Sequence, residues 1–415
     1  MSRCIKTSLV ILLVLAFLPA MPVQAQTNTD CPYQGTHSNG ALYCITMPPP
    51  PPYGAWNGDL VIFAHGYVAV NKPLEIPWSQ MLFSDGMGGV ISMPVLINSL
   101  GYAFATTSYS QNGLAVQQGI LDILDLIEVF KTKFGDPARI YLVGASEGGL
   151  VTTLAIERHP LAFTGGLATC GPIGDFRGQV DYWGDFRVIF DYMIDSPTLD
   201  VLPGTAVNIP KSLMAKWNLF YAPRVADALT ANPFGTQQLF SVTGAAFDAA
   251  NPLTMGETTL GVLWYNVFAT QDAVRKLGGQ PFDNRERVYS GSINDSLLNA
   301  SVKRFKAKPA ALEEIANAYE TSGIILRPLV TMHTTGDPIV PSWHQEKYGL
   351  KVAANNPLSP YYSMTIERYG HCSFTLAEML TGFGALVGMS TGQTLPAPAL
   401  LQTQGSRAES FMFGQ

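Results

Sequence analysis

The chain has 415 residues, of which 47% are hydrophobic and 13% are charged, and its formal net charge is −6. This length and composition allow a sizeable hydrophobic core, arranged as one large domain or as a core with an insertion. The excess of acidic residues argues against nucleic acid or an anionic membrane surface as a partner.

The first 25 residues have the pattern of a secretory signal peptide. Arg3 and Lys6 form a basic start, residues 9–18 are continuously apolar, and Val23 and Ala25 supply small residues where a signal peptidase cleaves. The apolar run is much shorter than the roughly 20 residues that a transmembrane helix needs. We therefore expect a secreted or periplasmic protein without stable membrane insertion, and a retained membrane anchor is the alternative.

Four cysteines follow the predicted signal peptide: Cys31, Cys44, Cys170 and Cys372. An even number of cysteines in an exported chain favours two disulfides, although four cysteines allow three pairings. The short spacing favours a Cys31–Cys44 bond, which leaves Cys170 and Cys372 to join two distant loops. Four free thiols are the alternative.

Residues 26–58 are rich in loops, with one short strand predicted at 41–46, and they contain Pro48–Pro52. We therefore expect a leader with a stiff, extended connector. Over residues 59–174, apolar runs typical of buried strands alternate with helical patterns. Strands are predicted at 59–64, 102–107, 139–143 and 163–169, with a helix over 115–134. That helix is expected to bury the face formed by Ile120, Leu121, Leu124, Ile127 and Phe130. The alternation predicts an α/β fold, in which helices cover both faces of a mostly parallel sheet.

Residues 175–323 break this alternation. They are rich in aromatic residues and end in a helical run at 312–319, so we expect a mostly helical cap or lid inserted into the core. Most of these aromatic side chains are expected to pack inside the cap. The core pattern resumes over residues 324–415, with strands predicted at 328–333 and 363–369 and a helix at 374–387. His333, inside the first of these strands, is expected to be a core residue.

The hexapeptide Gly144–Gly149 follows a predicted strand and precedes a predicted helix. This context is typical of the Gly-x-Ser-x-Gly nucleophile elbow, and an ordinary glycine-rich turn is the alternative. Small residues let the chain reverse sharply, so that the hydroxyl of Ser146 is exposed on a strained turn. Ser146 is therefore the candidate nucleophile.

A serine nucleophile needs a histidine base that a carboxylate orients. His371 is in a loop directly after a predicted strand, where such a base belongs, and His344 is a weaker rival at the start of a helix. Asp337 follows the preceding strand and is the candidate acid, with Asp175 as the alternative. The chain order of Ser146, Asp337 and His371 matches one known arrangement of such triads.

Together, these motifs resemble those of the α/β-hydrolase superfamily. The resemblance rests on His65-Gly66-Tyr67, Gly144–Gly149, Gly336–Pro341 and Gly370-His371-Cys372, and it covers residues 59–175 and 325–390. It implies that the backbone amides of Tyr67 and Glu147 form the oxyanion hole. The Tyr67 hydroxyl is either a further donor or a packing group.

Cys372, directly after His371, resembles the arrangement in secreted esterases whose disulfide braces the histidine loop. In the feruloyl esterase and tannase group, the partner cysteine directly precedes the catalytic acid, but here Gly336 occupies that place. We expect Cys170 to serve as the partner instead.

These motifs predict a secreted serine hydrolase that cleaves a carboxylic ester through an acyl-enzyme. A peptidase of the prolyl-oligopeptidase or aminopeptidase type is the first alternative, and an inactive hydrolase fold used for binding is the second. The sequence contains no metal-binding spacing, so we expect no metal and no other cofactor. The expected partner is a small-molecule or polymeric ester, and the aromatic-rich cap favours an apolar or aromatic group in it.

Overall fold

An eight-stranded sheet organises the chain in the computed structural model, which describes residues 31–52, 54–84, 89–195 and 201–392. The predicted signal peptide lies outside the described residues. The strands are β1 (Tyr33–Thr36), β2 (Leu42–Thr46), β3 (Asp59–Ala64), β4 (Leu82–Ser84), β5 (Val90–Ser92), β6 (Ala103–Thr107), β7 (Arg139–Ala145), β8 (Gly165–Thr169), β9 (Leu329–Gly336) and β10 (Tyr361–Tyr369).

The main sheet has the strand order β1-β2-β6-β3-β7-β8-β9-β10, and β4 and β5 form a separate antiparallel pair. Every neighbouring pair from β6 to β10 is parallel. Because parallel strands end at the same edge of a sheet, the loops that follow β3, β7, β8, β9 and β10 all lie at that edge.

The segment that we expected to be a leader contributes two strands to this sheet. β2 pairs antiparallel with β6, β1 pairs antiparallel with β2, and a Cys31–Cys44 disulfide fastens the start of the segment to β2. β1 is short and mostly exposed, so it carries no alternating apolar pattern that would reveal it in the sequence. The sheet therefore begins well before residue 59.

Helices flank the sheet and fill the long connection between β8 and β9. They are α1 (Met93–Ser99), α2 (Val116–Phe134), α3 (Glu147–Arg158), α4 (Phe176–Met193), α5 (Lys211–Ala215), α6 (Ala222–Ala231), α7 (Pro233–Thr243), α8 (Thr254–Lys276), α9 (Asp295–Ser301), α10 (Pro309–Glu314), α11 (Trp343–Asn355) and α12 (Leu376–Thr391). A 3₁₀ turn covers Trp78–Met81, and π-helical turns cover Trp217–Tyr221 and Ile315–Tyr319. No helix in the described ranges combines the length and the apolar character that crossing a bilayer requires.

Two apolar layers sandwich the sheet. α2, α3 and α11 pack against one face, and α1 and α12 pack against the other. Successive residues of a strand point to opposite faces, so Leu60 and Ile62 join the first layer while Val61 joins the second. Strands buried on both faces explain why β3 and β7 are nearly continuous apolar runs.

The buried face of α2 differs from the predicted one. Ile120 and Ile127 are buried as expected, whereas Leu121 is 53% exposed. Ile123 and Leu126 take up the buried side instead. Neighbouring residues on a helix point about 100° apart, so a stripe through Ile120, Ile123 and Ile127 leaves Leu121 outside it.

The helices between β8 and β9 have an apolar core of their own. Buried members include Phe186, Phe190, Trp217 and Phe268. Most aromatic side chains of this segment therefore pack against one another, and a smaller set reaches the edge of the sheet where β7 ends.

Candidate active site

Ser146 lies on a sharp turn between β7 and α3. Its backbone has φ 59° and ψ −123°, a costly conformation for a residue with a Cβ. A Cβ on Gly144 would lie 2.0 Å from the carbonyl oxygen of Gly148, and one on Gly148 would lie 2.0 Å from that of Ala64. The turn therefore needs both glycines, and it holds Ser146 at the carboxyl edge of the sheet.

The loops after β7, β9 and β10 bring Ser146, Asp337 and His371 together. His371 Nε2 lies 2.9 Å from Ser146 Oγ, and His371 Nδ1 lies 2.7 Å from Asp337 Oδ2. A carboxylate can only accept, so Nδ1 carries the proton of the neutral ring and Nε2 is left to accept from the serine hydroxyl. This arrangement can withdraw a proton from Ser146 during nucleophilic attack.

Asp337 is buried and held as a carboxylate by its surroundings. Its Oδ1 accepts from the backbone N–H groups of Ile339 and Val340, each at 2.9 Å. His333 Nε2 lies 3.6 Å from its Oδ2 and donates to the Val340 carbonyl at 2.7 Å. Burial alone raises the pKa of Asp337, but the charge of His371 and the hydrogen bonds from His333 and His371 outweigh it and lower that pKa to about 2. His333 is a core residue, as expected, and it also contacts the candidate acid.

The loop after β3 lies directly beside the elbow. A Cβ on Gly66 would lie 3.1 Å from the Cβ of Ser146, so Tyr67 follows at the edge of the candidate site. Within the described residues, the backbone N–H groups of Tyr67 and Glu147 have no acceptor. Two unpaired donors flanking a serine are suited to bind a negatively charged oxygen.

The neighbouring His65 is buried and serves a packing role. Its ring stacks on Tyr109 with centroids 3.8 Å apart, and its Nδ1 lies 2.7 Å from the Gly66 carbonyl oxygen. Burial lowers the pKa of His65 to about 4, so this ring is neutral near neutral pH.

The side chain of Glu147 is a buried acid that sequence patterns do not reveal. Its Oε1 accepts from the Ala115 N–H at 2.6 Å, and the residue is 8% exposed. Burial raises the pKa of Glu147 to about 8, although the Ala115 hydrogen bond and Lys276 oppose this shift. This environment comes from the start of α2 and from α8, which are distant from Glu147 in the sequence.

Asp175, the alternative acid, is not positioned to orient His371. Its carboxylate caps α4 by accepting from the Gly178 N–H at 2.7 Å, and it pairs with Lys347 Nζ at 2.5 Å. The carboxylate is therefore used to start a helix, a common role for Asp at that position.

His344, the rival base, is also excluded by its contacts. Its Nδ1 accepts from the N–H groups of Gly174 and Asp175, and its Nε2 donates to Gln179 Oε1 at 2.8 Å. Burial lowers the pKa of His344 well below its usual range, so the ring is a neutral structural link.

A Cys170–Cys372 disulfide joins the end of β8 to the loop that carries His371. This is the pairing that the sequence favours. Because both sulfurs are in the disulfide, the grouping of Cys170, His371 and Cys372 offers no thiolate to a metal ion.

A cavity of about 80 Å³ opens beside Ser146. Its walls are mostly apolar and come largely from α4, α8 and the loop after β9; they include Leu114, Phe176, Val180, Trp183, Tyr265, Ala269, Ala273, Phe282, Ile339 and Val340. Trp183 and Tyr265 stack with ring centroids 4.9 Å apart. The sequence shows that this segment is rich in aromatic residues. It does not show which of these residues lie near Ser146.

The parallel sheet, the helices on both faces and the serine elbow after β7 are those of a serine hydrolase fold. The chain has the α/β-hydrolase fold. A sequence model of the prolyl oligopeptidase family matches residues 79–182, a span that includes Ser146. No curated protein sequence matches the chain significantly.

Solved structures of several hydrolases are similar in fold. An acylaminoacyl peptidase in complex with Z-Gly-Gly-Phe-chloromethyl ketone is 12% identical, with a TM-score of 0.43 over 89% of this chain and 43% of that chain. An esterase from Pyrococcus furiosus is 12% identical, with a TM-score of 0.41 over 88% of this chain and 91% of that one. Candida antarctica lipase A in its closed state is 16% identical, with a TM-score of 0.42 over 90% and 81%. The chain thus spans less than half the length of the acylaminoacyl peptidase.

Proposed function

We propose that the protein is a secreted serine hydrolase that cleaves carboxylic esters. In this proposal Ser146 is the nucleophile, His371 is the base, and Asp337 orients His371. The observation that carries the proposal is the continuous hydrogen-bonded relay from Ser146 Oγ to Asp337 Oδ2, located beside an apolar cavity.

The reaction proceeds in two halves. Ser146 Oγ attacks the ester carbonyl, its proton passes to His371 Nε2, and the carbonyl electron pair moves onto the oxygen. Collapse of this intermediate expels the alcohol, which takes the proton from His371, and leaves an acyl-enzyme. Water then gives a proton to the same nitrogen as it attacks the acyl group. Collapse of the second intermediate breaks the bond to Ser146 Oγ, which takes the proton back from His371, and releases the acid.

The backbone N–H groups of Tyr67 and Glu147 are the proposed oxyanion donors. Each such donor stabilises the transition state by about 3 kcal/mol in comparable sites. Their lack of any other acceptor within the described residues supports this assignment.

The cavity supports a substrate with a compact apolar group. About 80 Å³ is room for several water molecules, since one water needs roughly 10–15 Å³ by the same measure. We therefore expect a short acyl chain or a single ring next to the ester, in preference to a long fatty acyl chain.

A peptidase is the second candidate, because the matching sequence model is that of the prolyl oligopeptidase family. The acyl-enzyme chemistry is shared, and the two candidates differ in the leaving group. An amine leaving group needs more complete proton transfer from His371 than an alcohol does.

The proposal also includes export of the protein and a cap role for residues 175–323. Two disulfides are typical of proteins that fold outside the reducing cytosol, which supports a secreted or periplasmic location. We assign the segment between β8 and β9 as the cap that builds the substrate cavity.

The test compares p-nitrophenyl acetate, butyrate and palmitate with an aminoacyl-proline p-nitroanilide. We expect the two short esters to give the highest kcat/KM, and Ser146→Ala to remove the turnover. Ser359→Ala, at the opposite end of the sheet before β10, is the matched control and keeps full activity. Cleavage of the anilide with no ester preference would favour the peptidase, and undiminished turnover by Ser146→Ala would rule out both candidates.

A further inference from the structure

The cavity beside Ser146 has one carboxyl group on its wall. Among the lining residues that the structure describes, Glu147 is the single one with an acidic or basic side chain. Its Oε1 is occupied, because it accepts from the Ala115 N–H at 2.6 Å. Its Oε2 has no hydrogen-bond partner within the described ranges, and protein atoms do not enclose it completely. The open space next to Glu147 is the cavity, so Oε2 is available to a bound substrate.

No cation in the described part of the chain forms an ion pair with Glu147. Lys276 is occupied elsewhere, because its Nζ pairs with Asp272 Oδ2 at 3.0 Å and donates to the Asn112 carbonyl at 2.6 Å. Asp272 also pairs with Arg275. The other titratable groups that sense the charge of Glu147 are the hydroxyls of Tyr67, Tyr109, Tyr265 and Tyr319. A buried carboxyl without a cationic partner is most stable in its neutral form.

The hydrogen bond from Ala115 places the proton of this neutral carboxyl. Oε1 accepts, so it is the carbonyl-like oxygen, and Oε2 carries the proton. The same hydrogen bond fixes the side chain on the start of α2. The cavity therefore contains an O–H donor held by the residue that directly follows Ser146.

We propose that Glu147 determines substrate specificity: its Oε2–H donates a hydrogen bond to an acceptor oxygen on the acyl group of the ester. The preferred substrates are short acyl esters with an ether, keto or second ester oxygen within a few bonds of the scissile carbonyl. This inference rests on the proposed function. An acyl chain without such an oxygen leaves the buried O–H without a partner, which weakens its binding in the transition state.

This preference depends on pH, because an ionised carboxylate has no proton to donate and repels an acceptor oxygen. Burial raises the pKa of Glu147 to about 8; the Ala115 hydrogen bond and Lys276 oppose this shift, and Asp272 adds to it. The preference is therefore complete well below about pH 8 and lost well above it.

The experiment uses two pairs of p-nitrophenyl esters that differ in one acceptor oxygen. Methoxyacetate is compared with butyrate, and 4-oxopentanoate with 4-methylpentanoate, so that the acceptor lies at two depths. The ratio of kcat/KM within each pair is divided by the ratio of the uncatalysed alkaline hydrolysis rates. Because the two esters of a pair share one leaving group and one catalytic base, this corrected ratio cancels the titration of His371.

We expect the corrected ratio of wild type to favour the acceptor-bearing ester about 3- to 10-fold in at least one pair at low pH, which is the effect of one neutral hydrogen bond. It falls to about 1 as Glu147 ionises. Glu147→Gln keeps the preference at every pH, since its Oε1 accepts from Ala115 and its Nε2–H donates into the cavity. Glu147→Met has no donor and shows no preference at any pH. Glu128→Gln, whose side chain is 70% exposed on α2, is the control and behaves as wild type.

A wild-type ratio that does not change with pH, or that rises through about pH 8, would overturn the inference. Retention of the preference by Glu147→Met would overturn it as well. If Glu147→Met does not fold, the contrast between wild type and Glu147→Gln across the pH range decides. Turnover that survives in Ser146→Ala defeats the proposed function and the inference with it. A flat ratio in an enzyme that Ser146→Ala inactivates defeats the inference alone.

Discussion

At the residue level, the candidate relay depends on one carboxylate that stays charged inside the protein. Two backbone N–H groups and the rings of His333 and His371 surround Asp337. These partners replace the water that the carboxylate loses on burial, and they keep its pKa at about 2. In the proposed mechanism, this fixed negative charge stabilises the positive charge that His371 acquires when Ser146 attacks.

We predict that Asp337→Asn lowers kcat about 10³- to 10⁴-fold, with KM within a few-fold of wild type. The amide can donate to His371 Nδ1, which favours the tautomer with its proton on Nε2 and leaves no acceptor for the Ser146 hydroxyl. Steady-state kinetics with a chromogenic ester measure the effect. Asp175→Asn is the matched control, since that carboxylate caps α4, and an equal loss in the control would contradict the assignment of the acid.

Glu147 makes the stability of the protein dependent on pH. Its folded-state pKa of about 8 lies above its ordinary value of 4.5, so the folded protein holds a proton that the unfolded chain releases. The contribution of this proton to the free energy of unfolding is fully present below about pH 4.5. It decreases as the pH rises and is lost as the pH passes through about 8. In the proposed mechanism, a neutral acid next to Ser146 also avoids a negative charge beside the developing oxyanion.

We predict that Glu147→Gln stabilises the protein relative to wild type increasingly between pH 5 and pH 8. The relative gain approaches about 1.4 kcal/mol per pH unit at most. Thermal melting at several pH values measures this difference. Glu128→Gln, on the exposed side of α2 with its side chain 70% exposed, is the control and shows no such trend. A constant difference between Glu147→Gln and wild type would contradict the raised pKa.

At the level of elements, the helices between β8 and β9 form hydrogen bonds to the loop after β9 and to the end of β10. From α4, the Tyr182 hydroxyl donates to the Pro338 carbonyl at 2.7 Å, next to Asp337. From α8, Thr258 Oγ1 lies 2.9 Å from the hydroxyl of Tyr369, which precedes the His371 loop. Such contacts position the relay, so this segment contributes to catalytic geometry as well as to the cavity.

The Cys170–Cys372 disulfide is a second restraint on the His371 loop. It joins two positions 202 residues apart, across the whole connection between β8 and β9. The Cys31–Cys44 bond spans 13 residues and fastens the first edge strands, far in the strand order from β9 and β10. The two disulfides therefore restrain different parts of the chain: one the His371 loop and the other the first edge strands.

We predict that the double variant Cys170→Ser/Cys372→Ser loses about 10- to 100-fold in kcat, because small displacements of a catalytic group are costly. It also loses about 2–5 kcal/mol of stability. Cys31→Ser/Cys44→Ser is the control, which loses stability but keeps kcat. Kinetics are measured well below both melting temperatures. Equal kcat in the two double variants would contradict a bracing role.

At the level of the whole molecule, the sequence predicts the buried central strands well and the edge strands of the sheet poorly. β3 and β7 are buried on both faces, so their apolar runs stand out, whereas exposed β1 has no such signal. Ser146, Asp337 and His371 each follow a strand, which is why local patterns identify them as candidates. The environment of the Glu147 carboxyl depends on which helix faces pack together, and local patterns carry no such information.

The most direct test of the central claim is covalent labelling of the full protein with a fluorophosphonate, followed by peptide mass spectrometry. We predict one adduct, on Ser146, that forms in step with the loss of ester hydrolysis and is absent from Ser146→Ala. An adduct on another residue, or ester turnover that persists after complete labelling of Ser146, would contradict it.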